Sequence, residues 1–318
     1  MSKPSLDHYL PRRAGRSVFV PLRGLRYHAT VWGDGSLVTA QRPVLVMMHG
    51  WMDIGTSFQF VVDALASDRM VVAADWRGFG RSAMPPVDCY WFPDYLGDLD
   101  ALLRAPELGL SADSRVDLLG HSMGGNVVMS YGGVRPEKVR RLINLEGFGL
   151  PDGKSDAAPQ RMAQWLDELL QPTYLRSYSD LASVATRLQQ NNPRLSAGHA
   201  NWLAPHWAES RDDGRWHVRG DPAHRRINPV LFRREEAMAT WARISAPLLW
   251  VEGALTQLER QWDGRYSRSD FEQRLACVKE VRRALIDGAG HMLHFDRPQA
   301  IAQAIDGFLD DPAAGPPT

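Results

Sequence analysis

The chain has only two cysteines among 318 residues, Cys89 and Cys277. They lie far apart, match no metal or redox spacing, and read as packed thiols suited to a reducing compartment. Net charge is lacking as well. The 37 Lys plus Arg balance 37 Asp plus Glu, so no bulk field draws nucleic acid or an anionic membrane. Arginine far outnumbers lysine, yet the arginines are scattered and form no basic block. No segment reaches the roughly 18–20 apolar residues of a membrane span. The opening MSKPSLDHYLPRRAGRS offers no apolar run for a signal peptide. Internal repeats and low-complexity tracts are missing too. A soluble cytoplasmic protein is expected.

What the chain does have centres on Arg115 to Gly133, RVDLLGHSMGGNVVMSYGG. Val116 to Leu119 is a short apolar run broken once by Asp117, the length of a buried strand. It passes directly into Gly120-His121-Ser122-Met123-Gly124-Gly125, and Asn126 to Tyr131 then reads as helix. Strand, G-x-S-x-G and helix in succession are the context of a nucleophile elbow, with Ser122 held exposed on a strained turn. The following helix would aim its free N–H groups and positive dipole end at the same point.

The rest of the chain supplies a frame. Val18 to Trp32 alternates around Arg23-Gly24 like two antiparallel strands and a turn. Val44–Met48 and Met70–Ala74 are continuous apolar runs, as expected of strands buried on both faces. Helical spacing marks Phe58–Leu65, Asp94–Leu103 and Ile301–Leu309. Further strands are expected at Leu142–Leu145, Pro247–Val251 and Val278–Ile286. Buried runs alternating with helices predict an α/β architecture with a mostly parallel sheet flanked by helices. Between Gly149 and Arg243 the buried runs vanish and Trp, His, Arg, Asn and Pro become frequent. Helices are expected there at Arg161–Leu170 and Asp180–Gln189, with turns at Asn191–Arg194 and Arg211–Arg215.

In this arrangement the chain resembles an α/β-hydrolase fold enzyme of the serine hydrolase, carboxylesterase-like kind. The resemblance covers most of the chain. Its pieces stand in order: His49-Gly50-Trp51, Asp75-Trp76-Arg77-Gly78-Phe79-Gly80-Arg81-Ser82, Gly120-His121-Ser122-Met123-Gly124-Gly125 and Gly288-Ala289-Gly290-His291. The resemblance implies a core of residues 17–149 and 244–310 and a helical cap, or lid, of residues 150–243. The ends, 1–16 and 311–318, are expected to be poorly ordered.

A serine hydroxyl needs a neighbouring base to become a nucleophile. His291 follows an apolar strand on a Gly-rich loop, late in the chain as this fold orders its base; His294 competes with it. His121 adjoins Ser122 and should point elsewhere. An oxyanion needs two preorganised N–H donors, each worth about 3–4 kcal/mol. The backbone N–H of Met123 supplies one, and the resemblance selects Trp51 for the other. Most chains of this resemblance carry an acidic Asp three residues past the glycine here numbered Gly253. Thr256 stands there and cannot serve. Glu146, ending the strand after the elbow, matches the acid position of haloalkane dehalogenases. Glu252 is the next choice, and Glu259 and Asp263 lie further on. Asp75, Arg77 and Arg81 read as structural ties of one tight loop, while Asp53, just past the oxyanion loop, is near the pocket and is assigned no role. Trp202, Trp207 and Trp216 read as lid packing, and an apolar lid favours an apolar acyl or alcohol group.

The expected reaction is cleavage of a small-molecule carboxylic ester through an acyl-enzyme, a reading that implies no metal and no organic cofactor. Serine in place of Asp argues against dehalogenase and epoxide hydrolase chemistry. Thioester, lactone and C–C bond hydrolysis use the same groups, and so does perhydrolysis. A non-catalytic binding protein of this fold is the remaining alternative, hinted at only by Thr256.

Overall fold

A computed structural model describes residues 8–311. Its strands, in chain order, are β1 (Arg16–Leu22), β2 (Leu25–Trp32), β3 (Leu45–Met48), β4 (Val71–Ala74), β5 (Val116–His121) and β6 (Val139–Leu145). Three short ones follow, β7 (Ser177–Tyr178), β8 (Ala208–Ser210) and β9 (Trp216–Val218), and then β10 (Leu248–Gly253) and β11 (Val281–Ile286). Eight form one sheet in the order β1-β2-β4-β3-β5-β6-β10-β11. β1 pairs antiparallel with β2 and β2 with β4; every later pairing is parallel. This is the α/β-hydrolase type of architecture, a mostly parallel sheet flanked by helices.

The apolar runs are continuous because both faces of the sheet are covered. Along β3 and β4, Leu45, Met47, Val71 and Ala73 enter one core, while Val46, Met48, Val72 and Ala74 enter the other. Asp117 interrupts β5 without exposing it. Arg140 grips its carboxylate at 2.8 and 2.5 Å, and Arg69 lies 3.6 Å away. The buried guanidinium of Arg69 and the half-buried one of Arg140 offset a charge that the sheet alone could not hold.

Some boundaries differ from expectation. β11 begins at Val281, not Val278, because Val278 is a buried turn residue behind an unforeseen helix, Arg268–Leu275. Ser267 and Asp270 start that helix with a reciprocal capping box. The helix after Ser122 runs from Met123 to Val134, longer at both ends than its expected Asn126–Tyr131 core.

The segment between β6 and β10 carries the expected helices at Ala158–Leu169 and Leu181–Asn191, the second capped by Asp180. It also holds helices at Ala197–Trp207 and Arg234–Trp241 and a small sheet of order β7-β9-β8, none of them anticipated. Leu203, Ala204 and Trp207 of this segment pack with Ile54 and Phe60 of the core in a third apolar cluster. The described part of the lead-in is tied down. Tyr9 hydrogen-bonds to Asp63, whose carboxylate also accepts the N–H groups of Arg12 and Arg13 at 2.8 Å each. Residues 1–7 and 312–318, expected to be poorly ordered, lie outside the described residues. Among those described, no helix is long and apolar enough to cross a membrane.

Candidate active site

β5 ends at His121 and the next helix begins at Met123, so Ser122 alone makes the turn. Its φ of 51° and ψ of −115° are sparsely populated for a residue with a side chain. The close approach explains the flanking glycines. A Cβ at Gly120 would lie 2.3 Å from the Gly124 carbonyl oxygen, and one at Gly124 would lie 2.2 Å from that of Met48. The Ser122 N–H donates to Leu145 O at 2.8 Å, which docks the turn on the end of β6.

His291 follows β11 on a loop that Asp296 anchors by accepting the Gly290 N–H at 2.8 Å. Its Nε2 lies 2.9 Å from Ser122 Oγ, and its Nδ1 lies 3.2 Å from Glu146 Oε2. Glu146 stands just past β6 at a φ of 59°, with its side chain fully buried. Its other oxygen, Oε1, accepts the Gly253 N–H at 2.7 Å and the Thr256 hydroxyl at 2.9 Å. With Oε1 so occupied, Oε2 accepts from His291 Nδ1–H. That assigns the tautomer in which Nε2 accepts from the Ser122 hydroxyl.

Thr256 is therefore a donor to Glu146, a role that its rejection as an acid left unseen. The signal was present: a hydroxyl at the position where an acid was sought. Glu252 takes a different course, paired with Arg268 and accepting from Trp250 Nε1 at 3.3 Å. Glu259 accepts the Arg268 N–H at 3.0 Å.

Two more histidines pack behind His291. His121 is buried, and its Nε2–H donates to the His291 carbonyl oxygen at 2.8 Å. Burial first, then the neighbouring His294, pushes its pKa well below the ordinary range, so the ring is neutral. His294 turns from Ser122 towards Asp53, with Nε2 at 3.2 Å from Oδ2. Asp53 also accepts from Ile54 N–H at 2.9 Å and Ser57 Oγ at 3.0 Å, so it braces the loop after β3. Asp53, His121 and His294 present possible metal-ligating atoms within 4.8 Å of one another, although each Nε2 is already hydrogen-bonded.

That loop carries Trp51. Its tight turn is closed by Asp53 N–H to Gly50 O at 3.3 Å. The buried His49 accepts the Trp76 N–H at Nε2, 2.9 Å, and donates from Nδ1 to Gly50 O, 2.7 Å. A Cβ at Gly50 would lie 3.1 Å from Ser122 Cβ, so this turn sits beside the helix start at Met123. The Met123 N–H opens the helix, where no i−4 carbonyl exists to engage it.

A cavity of about 940 Å3 opens over these groups, with Ser122, Met123, Glu146 and His291 on its wall. Tyr90, Trp91, Phe92 and Phe148 add an aromatic lining, and Leu231 and Phe232 come from the segment between β6 and β10. None of Tyr90–Phe92 was singled out in the sequence, since nothing local marks a wall residue. Trp202 and Trp216 pack on the third cluster, and Trp207 donates to Met52 O at 3.1 Å. His224 is sandwiched between Phe79 and Tyr90, with ring centroids 3.7 and 3.5 Å away. Burial holds its pKa down at about 3. Asp75 ties its loop as expected, accepting Gly55 N–H and Arg81 N–H at 2.7 and 2.8 Å. Arg77, however, pairs with Asp98 and Asp94 of the helix Phe92–Leu102 instead of Asp75.

Residues 43–298 match the family model described as alpha/beta hydrolase fold. The chain belongs to the α/β-hydrolase fold family. A serine hydrolase-like protein of Danio rerio is 26% identical over 326 residues, 96% of this chain and 92% of that one. An esterase of Escherichia coli, YbfF, is 25% identical over 84% of this chain and 93% of its own. Among solved structures, the thioesterase domain from the curacin biosynthetic pathway superposes with a TM-score of 0.77 at 26% identity. That match covers 92% of this chain and 99% of the domain. This α/β hydrolase thus has serine hydrolase and esterase relatives at modest identity.

Proposed function

We propose that this hydrolase cleaves a carboxylic ester through an acyl-enzyme on Ser122. The carrying observation is the unbroken row Ser122 Oγ, His291 Nε2, His291 Nδ1 and Glu146 Oε2, at 2.9 and 3.2 Å. His291 takes the hydroxyl proton as Ser122 attacks the carbonyl carbon and returns it to the leaving alcohol. Glu146 holds the ring and stabilises the imidazolium that forms. The N–H groups of Trp51 and Met123 donate to the negatively charged oxygen of the tetrahedral intermediate. Water, deprotonated by the same histidine, then frees the acid. Residues 150–243 act as the lid that walls the cavity.

The Glu146 geometry weakens the binding-protein reading, whose one support was the absence of an Asp at position 256. Thioesters enter by the same attack, and the thioesterase domain among the structural relatives favours testing them beside oxygen esters. The test is hydrolysis of short and long p-nitrophenyl esters by wild type, Ser122→Ala and Glu146→Gln. Wild type should turn over at least one ester, and both variants should lose most of that rate. A folded wild type inert to every ester, or an active Ser122→Ala, overturns the reading.

A further inference from the structure

The cavity that Ser122 and His291 line also bears two arginines of the segment between β6 and β10, Arg161 and Arg226. A cation on a largely apolar wall is costly to hold from water unless it has a partner. Neither has one of opposite charge: among the described residues, no carboxylate lies within 4.0 Å of either guanidinium. Each is held instead by a backbone carbonyl. Arg161 Nε donates to Asn228 O at 2.6 Å, and Arg226 Nη1 donates to Asp88 O at 3.1 Å. Arg226 Nε is buried with no hydrogen-bond partner. Burial, then the nearby Arg265, lowers the Arg161 pKa, and Glu168 offsets this only in part. The other charged wall groups are Arg233, which donates to Ser155 Oγ at 3.1 Å, an exposed Glu236, and the engaged Glu146, His291 and Asp53 side. Arg161, Arg226 and Arg233 against the exposed carboxylate of Glu236 leave the net charge of this part of the wall positive. One anchoring bond leaves most of each guanidinium's donors for a ligand, in the planar fork that suits an anion.

We propose that the substrate carries an anionic group, a carboxylate or a phosphate, apart from its scissile ester, and that Arg161 and Arg226 bind it. The aromatic wall of Tyr90, Trp91 and Phe92 takes the apolar portion between the two ends. This inference rests on the ester-hydrolase reading above and narrows its substrate class.

The experiment uses the full chain and two ester series. In one, p-nitrophenyl esters have acyl chains that end in methyl, carboxylate or phosphate. In the other, acetates are made of alcohols with the same three ends. In at least one series kcat/KM should favour an anionic end over methyl, and the preferred anion tells carboxylate from phosphate. Arg161→Gln and Arg226→Gln should each lower the anionic-to-methyl ratio about tenfold, chiefly through KM, as loss of a charge-assisted hydrogen bond requires. Arg→Lys at either position should restore part of the ratio, and added salt should compress it in wild type. A preference for methyl in both series, or a ratio unchanged in the double variant, overturns the inference. If Ser122 turns over methyl-ended esters but anionic ones fare no better, the inference falls while the ester reading stands. If no ester in either series is cleaved through Ser122, both fall together.

Discussion

The carboxyl edge of the sheet and the segment between β6 and β10 share one cavity, but they hold their side chains by different means. At the edge the backbone does the holding. Leu145 O accepts the Ser122 N–H, the Gly253 N–H donates to Glu146, and Gly50 O accepts from His49 Nδ1. Ser122 and Glu146 both sit at positive φ, conformations that survive only where the surroundings over-determine them. In the segment, the wall is made by side chains such as Leu231 and Phe232, and Arg161 and Arg226 each hang from a single carbonyl bond. On the proposed function, a change at the edge should disturb the chain path and the chemistry together, and a change in the segment should alter what is bound while leaving the row Ser122, His291 and Glu146 in place. The division follows from burial. The edge is packed between two cores, whereas the helix Ala158–Leu169 buries none of its residues fully.

Substitutions can test that division, beginning with the largest effect. Ser122→Ala and Glu146→Gln should lower kcat about 10^6-fold and about 10^4-fold, read by ester hydrolysis. Gly124→Ala should cost about 3 kcal/mol in urea unfolding, because its Cβ meets a strand carbonyl that cannot swing aside. An equally stable Gly124→Ala would break the claim that the edge is built by backbone fit. Thr256→Val removes one hydrogen bond to Glu146 and should lower kcat about fivefold with little change in KM. Glu252→Gln, whose carboxylate faces Arg268, should leave kcat near wild type.

A pH-dependent effect belongs to His224, which joins the segment to the core between Phe79 and Tyr90. Its pKa is about 3 folded against 6.5 for the free side chain. Between those values the unfolded chain binds a proton that the folded chain refuses. Its stabilisation is complete above pH 6.5 and declines as pH falls, by at most about 1.4 kcal/mol per unit. His224→Phe should flatten the loss of stability between pH 6.5 and 5 in urea titrations. A slope identical to wild type would deny His224 that part.

Much of the edge was legible in the chain. Continuous apolar runs announced β3 and β4, and the tight glycines around Ser122 announced the turn, because these features depend on neighbours within a few residues. The capping box of Ser267 and Asp270 is equally local, a Ser followed three residues on by an acid. What sequence patterns could not show depends on tertiary approach. Arg77 finds Asp98 rather than the nearer Asp75, Thr256 reaches Glu146 across two strand ends, and Tyr90–Phe92 meet the segment only in the folded chain. The helix Ala197–Trp207 was hidden by composition, with Gly198 and an internal Pro205 against helix propensity. Its buried face, Ala200, Leu203, Ala204 and Trp207, stabilises what propensity disfavours.

The most direct test is the mass of the intact protein, quenched during the first turnover of a p-nitrophenyl ester. Wild type should gain the mass of one acyl group, mapped by peptide digestion to Ser122, and Glu146→Gln should gain it far more slowly. Turnover with no adduct under conditions that trap one, or an acyl group on another residue with Ser122→Ala still active, would contradict the account.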